Sequence, residues 1–316
     1  MKILYIAPRY SGGIGGHAAL VAEKLREHGF DIKLMDVSHI PIKNLKNPSF
    51  AILGALKALF GSERYDVAHA WNVPSAFVMR FAKAKKKVLS VHGVYAEQVD
   101  VLHSGTVSTM VSLAEPSVLK WADKLTTDSK AVQKAYKEKF GFEFEYLPAP
   151  LDTSRFNDLP DVVKIEDQVA YVGRDSFEKG TDMLRNIESQ IKGRVVYCIN
   201  IPWKEAMTTL KASSILVVPS RMESLPQVIK EAYYLKVPVV ATSVGGIPEL
   251  VTHDVTGILV PPNDPKKLTD AINLLLDNKE YARRLADAAY QYVIKNWTWD
   301  ALLPRYVEFY EKLVSS

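Results

Sequence analysis

Cysteine is nearly absent. Cys198 stands alone, so no disulfide can form within the chain, and a bridge-stapled secreted scaffold is excluded. A reducing compartment fits that usage. Long apolar runs are missing too: none approaches the roughly 18 residues that a membrane-spanning helix needs. The first residues, MKILYIAPRY, are too short in their apolar part for a signal peptide and read as a first β-strand, so a cytoplasmic location is expected. An excess of charge of one sign is lacking. A formal net charge of +4 permits contact with phosphates or anionic lipid and does not demand nucleic acid. No Cys/His cluster has zinc spacing, and no short-period repeat is visible.

What is present suffices for two domains. The 316 residues, 47% hydrophobic and 24% charged, describe an ordinary globular chain whose core needs no staple. Short β-branched runs alternate with stretches of helical period, which predicts βα units and mostly parallel sheets. The first half offers strands at 2–8, 31–37, 66–71, 87–93, 124–129 and 144–149, and a helix at 17–29 ending in Gly29. The stretch 148–167, with three prolines and no sustained period, reads as a linker. Strands then resume at 168–175, 194–200, 215–220, 238–244 and 257–262. Two doubly wound α/β domains are expected to face each other across a cleft, with ligands beyond the carboxyl ends of the strands. Arg9, the 12–16 glycines, His92, Arg174, Lys179 and Glu223 all follow strands directly.

SRMESLPQVIKEA, residues 220–232, carries two glutamates eight positions apart. Ser224 and Gln227 match a capping box, with Pro226 in the first turn. Leu225, Val228, Ile229, Ala232 and Leu235 predict the buried stripe, with Glu231 at its flank. Glu223 would lie near the helix N-terminus, where anions are favoured, and Glu231 two turns further on. A carboxylate only accepts hydrogen bonds, and vicinal hydroxyls satisfy both its oxygens. A ligand with a hydroxyl-rich group at each end and a phosphate between would suit this layout. Solvated glutamates on a helix flank are the plain alternative.

With the following stretch 237–272, this segment resembles the C-terminal signature of the family 4 retaining glycosyltransferases, which have the two-domain GT-B fold. The likeness is strong over 215–272 and patchy before 168. It implies an N-terminal Rossmann-like acceptor domain at 1–150, joined by a C-terminal helix at about 300–316 that crosses back to it, and a donor domain at 151–299. It implies that Glu223 contacts the transferred sugar and Glu231 the ribose hydroxyls, with Ser224 and Leu225 beside the donor. Ser224 and Lys236 replace the family's usual glycines, and Ala149 and Pro150 stand where Asn and Gly are usual.

Arg174 and Lys179 lie five apart in a loop ending at Gly180, a fork and a point charge suited to a diphosphate. The loop resembles the family's phosphate-binding G-R-x(n)-K-G; two exposed cations are the bland reading. SGGIGGH, 11–17, resembles the family's glycine pair near sugar and acceptor, which assigns Gly13, Gly15 and Gly16 to donor binding. Read without the family, Gly13, Gly15, Ala18 and Asp36 also match a weak dinucleotide fingerprint. His92 matches a family position facing the donor sugar, while His17 and His69 are given no role beyond lining the cleft. No Asp-x-Asp pair exists, which removes the usual metal–diphosphate bridge of the other main glycosyltransferase fold. Cationic side chains and a helix N-terminus are expected to serve instead, with no cofactor and no metal.

Between 184 and 214 the chain goes from RVVYCIN through IPWKEAMTTLKASS straight to ILVVPS, giving five strands in the second domain where relatives usually carry six. The apolar stretch 51–61 and the basic run 83–87 suggest peripheral contact with an anionic membrane, or else a buried helix and a basic helix end. The expectation is a retaining, metal-independent hexosyltransferase taking a nucleotide-diphosphate sugar to a glycan, lipid-linked or small-molecule acceptor. The rivals are a nucleotide-sugar epimerase, a binding subunit without turnover, and an NAD-dependent enzyme.

Overall fold

The structure, a computed structural model, describes residues 1–8, 13–35, 37, 46–93 and 115–315. Arg9, Gly12 and Asp36 lie outside the described residues. The chain divides into two compact units, Met1–Ala149 with Leu303–Ser316, and Pro150–Leu302.

The first unit holds one parallel sheet of six strands: β1 (Lys2–Ile6), β2 (Asp31–Leu34), β3 (Tyr65–Ala70), β4 (Ala84–Ser90), β5 (Lys124–Thr127) and β6 (Phe144–Tyr146), in the order β2-β1-β3-β4-β5-β6. Its helices include α1 (Gly13–Glu27), α2 (Lys46–Phe60), α3 (Val73–Phe81) and α4 (Lys130–Phe140). Alternate residues sort to opposite faces of the sheet. Leu4, Ile6, Ala68, Ala70 and Leu89 join a core with Phe50, Val78 and Met79 of α2 and α3. Tyr5, His69 and Ser90 point the other way.

The second unit holds β7 (Ile165–Val172), β8 (Arg194–Cys198), β9 (Ser213–Val218), β10 (Val239–Thr242) and β11 (Ile258–Val260), all parallel, in the order β11-β10-β9-β7-β8. Its helices are α5 (Thr181–Ile187), α6 (Trp203–Ala212), α7 (Gln227–Tyr234), α8 (Ile247–Leu250), α9 (Pro265–Asp277) and α10 (Lys279–Trp297). Ala170, Leu216, Val218, Val239 and Ala241 pack with α6, α7 and α10. Their neighbours Val169, Tyr171, Ile215, Val217 and Val240 pack with α5 and α9. Both faces are therefore covered, which is why these strands read as unbroken apolar runs. The sheet has the five strands counted in the sequence. A last helix, α11 (Trp299–Ser315), starts in the second unit and completes the first from Leu303 onward.

Several expectations need correction. α1 begins at Gly13, not at 17, so the described glycines form its first turn rather than a preceding loop. The basic run 83–87 is not a helix end: Ala84 to Lys87 open β4 between β3 and β5, with Lys85 paired to Asp66 at 2.7 Å. The stretch 148–167 does hold the division between the two units, but it is packed and partly regular. Ala149, Leu151, Phe156 and Leu159 are buried, Leu151 N–H donates to Trp297 O at 2.6 Å, and β7 starts already at Ile165.

Candidate functional site

In the second sheet the chain runs from β7 to β8 on one side, then returns to β9 on the other side of β7. Strand order reverses between β7 and β9, and such a switch point opens a crevice beyond the carboxyl ends of the two strands. The loops that follow them, 173–180 and 219–226, carry Arg174, Lys179, Glu223 and Ser224.

These two loops are tied together through backbone. Gly180 is left-handed at φ 69°, and a Cβ there would lie 2.0 Å from Pro219 O, so only glycine allows this approach. Arg221 N–H donates to Glu178 O at 2.8 Å. The Arg221 guanidinium grips Asp182 with two bonds of 2.6 and 2.8 Å and lies 4.0 Å from the Phe177 ring. That guanidinium holds the Asp182 carboxyl below its usual range. Behind Glu223, Gly245 sits at φ +52°, where a Cβ would be 1.8 Å from Glu223 O.

The frame brings Lys179 and Glu223 together. Lys179 Nζ donates to Glu223 Oε1 at 2.7 Å, and Ser220 Oγ donates to the same oxygen at 2.9 Å. The Glu223 side chain is 9% exposed and that of Lys179 23%. Both bonds fall on Oε1, so Oε2 is the acceptor left for a ligand hydroxyl. Arg174 is not part of this pair. Its side chain is largely exposed and meets Glu178 at 3.0 Å. On the same loop, Asp175 is held down to about 2, chiefly by the Arg185 guanidinium and then by the Thr181 hydroxyl.

The helix expected from Ser224 starts later. α7 begins at Gln227 behind Pro226, and no side chain caps it. A residue preceding proline is steered out of the helical region, so Leu225 cannot belong to the first turn and the capping box cannot form. Glu231 is therefore about one turn into the helix, not two. The buried stripe consists of Ile229, Lys230, Ala232 and Tyr233; Leu225 is buried ahead of the helix, while Val228 and Leu235 are only half-buried.

Glu231 turns toward its own domain. Trp203 Nε1–H donates to Glu231 Oε1 at 2.7 Å, and the Arg155 guanidinium lies 3.9 Å from the Trp203 ring. Burial raises the Glu231 carboxyl above its usual range, opposed by the indole bond and by the charges of Arg155 and Lys230.

The first sheet has its own switch point, between β1 and β3. His17 on α1, Trp71 after β3, His92 after β4 and Asp128 after β5 gather at these strand ends. His92 Nδ1 is 3.0 Å from Asp128 Oδ2. Trp71 stacks on His92 at 6.1 Å and 5°, and on His69 at 4.7 Å and 15°. His17 stands edge-on to Trp71 at 5.3 Å and to His92 at 6.2 Å. His69 does not line a cleft, contrary to the sequence reading. It is fully buried, with Nδ1 2.6 Å from Tyr310 Oη and Nε2 2.6 Å from Ser90 Oγ. Burial, then the neighbouring His92 and His17, pushes its imidazole down to about 3.

Sequence reasoning missed Ser220, Trp203, Asp128, Trp71 and Gly245. Asp128 and Gly245 each stand just beyond a strand end, which is a usable signal; Trp203 offered none. Among the described residues, no three His, Cys, Asp or Glu side chains gather as metal ligands would.

The family described as Glycosyltransferase Family 4 matches residues 11–155, and that described as Glycosyl transferases group 1 matches 179–292. An uncharacterized glycosyltransferase of Methanocaldococcus jannaschii is 22% identical over 98% of each chain. Sucrose-phosphate synthase from Thermosynechococcus elongatus superposes with a TM-score of 0.79 at 20% identity, covering 99% of both chains. HepE from Anabaena in complex with UDP-glucose gives 0.73 at 18% identity, over 99% of this chain and 100% of that one.

Proposed function

The chain belongs to the family 4 glycosyltransferases of the GT-B fold, and from that premise we propose that it moves a hexosyl unit, with retention and without a metal, from a nucleotide-diphosphate sugar to a hydroxyl acceptor. The observation that carries this reading is the Lys179–Glu223 pair at the switch point of the second sheet, 2.7 Å apart on loops locked by Gly180 and Gly245.

Lys179 is the cation for the departing diphosphate, and Arg174, on the same loop, gives up Glu178 to reach it. Charge develops on the phosphate oxygens as the C1–O bond breaks, and fixed cations stabilise that charge most where water is scarce. Glu223 accepts from the hexose hydroxyls and Glu231 from the ribose. Ser224 and Leu225 bring backbone N–H groups near the donor, and the Leu225 side chain anchors them in the core. In the first domain, Gly13, Gly15 and Gly16 present bare backbone and His92, braced by Asp128, faces the sugar. The acceptor oxygen attacks C1 from the leaving-group side, and its proton passes to the departing phosphate. No carboxylate is assigned as nucleophile, because attack from the leaving-group side needs none. The absence of an Asp-x-Asp pair from the sequence supports the metal-independent form.

The acceptor is a glycan, a lipid-linked sugar or a small molecule. A UDP-hexose is the first donor to test, since HepE binds one. A thermal-shift panel of UDP-, GDP- and ADP-sugars, with and without magnesium, tests the proposal. A true donor at about 100 times its Kd adds roughly 2.7 kcal/mol of stability, and Lys179→Ala should abolish that shift. If no sugar nucleotide stabilises the protein while NAD does, the reading fails. A binding subunit without turnover is the second reading, favoured by the five-stranded donor sheet and by Glu231 being engaged with Trp203. It predicts a donor shift with no transfer to any acceptor.

A further inference from the structure

Helix α2 is turned inside out. At about 100° per residue, Ile52, Leu53, Leu56, Leu59 and Phe60 fall within an arc of roughly 120°. That arc faces away from the core: their exposures are 62%, 44%, 47%, 48% and 80%. The opposite side carries Phe50, Gly54 and Ala58, all buried. Gly54 packs so closely on α3 that a Cβ would lie 2.6 Å from Val78 Cγ2. Gly54 and Ala58, with Phe50, thus seat the helix, and five of its large apolar residues are left outside. α3 extends the patch with Phe77 and Phe81, 41% and 44% exposed. Five large apolar side chains exposed on one face of a helix mark an interaction site rather than ordinary surface scatter.

The rim decides the occupant. Lys57, Arg80 and Lys83 are exposed around the patch, and neither helix contains an aspartate or glutamate. A two-fold contact between copies would bring the same patch face to face and set cations against cations. An anionic bilayer offers hydrocarbon to the leucines and phenylalanines and negative charge to the rim. We propose that α2, with the exposed edge of α3, docks this protein in the interfacial layer of an anionic membrane. The docking does not depend on the identity of the donor, and the donor thermal shift checks that reading separately.

The full chain would be sedimented with vesicles of phosphatidylcholine alone and with about a quarter phosphatidylglycerol. Expected is binding to the anionic vesicles that weakens with salt, little binding to the neutral ones, and a loss of roughly tenfold or more in Leu56→Glu/Phe60→Glu. The Lys57→Ser/Lys83→Ser variant leaves the apolar face intact and should lose the salt-sensitive part alone. Both variants should keep the wild-type donor shift, which shows that they fold. Absence of vesicle binding by wild type, equal binding by all variants, or a wild-type dimer that Leu56→Glu/Phe60→Glu disperses would each overturn the proposal.

Discussion

Replacing Lys179 by alanine is the sharpest perturbation, because it acts on stability and on turnover through different partners. In the unliganded protein Lys179 neutralises a Glu223 carboxylate that is 9% exposed. Breaking a fully buried pair from one side costs about 3–5 kcal/mol. Here Lys179 itself is 23% exposed and the Ser220 hydroxyl keeps its bond to Oε1, so water and a surviving donor soften the loss. We expect about 1–3 kcal/mol. Glu223→Gln keeps a carbonyl for Ser220 and frees a lysine that can reach solvent, so it should cost about 1 kcal/mol or less. The double variant should recover part of what Lys179→Ala loses, giving a coupling of about 1 kcal/mol or more. Turnover behaves differently. Removing the cation that meets the leaving group should lower kcat by about 100-fold or more, and Glu223→Gln in the second position restores none of it. Urea unfolding of the four proteins and initial rates with the best sugar nucleotide provide both readings. A Lys179→Ala protein with unchanged turnover, or a cycle with no coupling, would refute the reasoning.

His69 should stay neutral far into acid. Its imidazole is pushed down to about 3 in the folded protein, while the unfolded chain binds a proton near 6.5. The unfolded state therefore holds more protons between these values, and stability falls as pH drops from 6.5 toward 3, by on the order of 4 kcal/mol for this group. An imidazole resonance absent from His69→Gln and titrating near 6.5 in the wild type would contradict this. Trp203→Phe keeps an aromatic ring, though a smaller one, and removes the donor to Glu231, so it should cost about 1–3 kcal/mol and weaken nucleotide binding. Calorimetric affinity equal to wild type would show that the indole does not aim that carboxylate.

The eleven strands among the described residues could be found from the sequence because most contain a short apolar run that is buried, although β2 and β6 are largely exposed. Their ends were harder. β7 begins with Ile165, Glu166 and Asp167, all exposed, and the two acidic residues break the apolar run. α1 starts on glycines, which read as loop because their propensity for helix is poor, yet a first turn tolerates them. Lys179 and Glu223 stood out because each follows a strand in a stretch that resembles a family motif. Their contact was not, since it depends on Gly180 meeting Pro219 and on Gly245 lying behind a residue 22 positions earlier. The partner of Glu231 was equally hidden: Trp203 is 28 positions away, on a different helix. The 51–61 stretch was recognisably apolar, but only the packing of Gly54 reveals which side of it is turned outward.

Tyr310 bonds to His69 and to Tyr5 inside the first unit, at 2.6 and 2.7 Å, so the earliest-translated sheet waits for one of its core residues until every residue of the second unit has left the ribosome. The usual order of vectorial folding, N-terminal domain first, is then inverted. Pro150–Leu302 has its full complement of side chains before its predecessor does. Released chains truncated after Leu302 should accordingly present a protease-resistant second half and a cleavable first one.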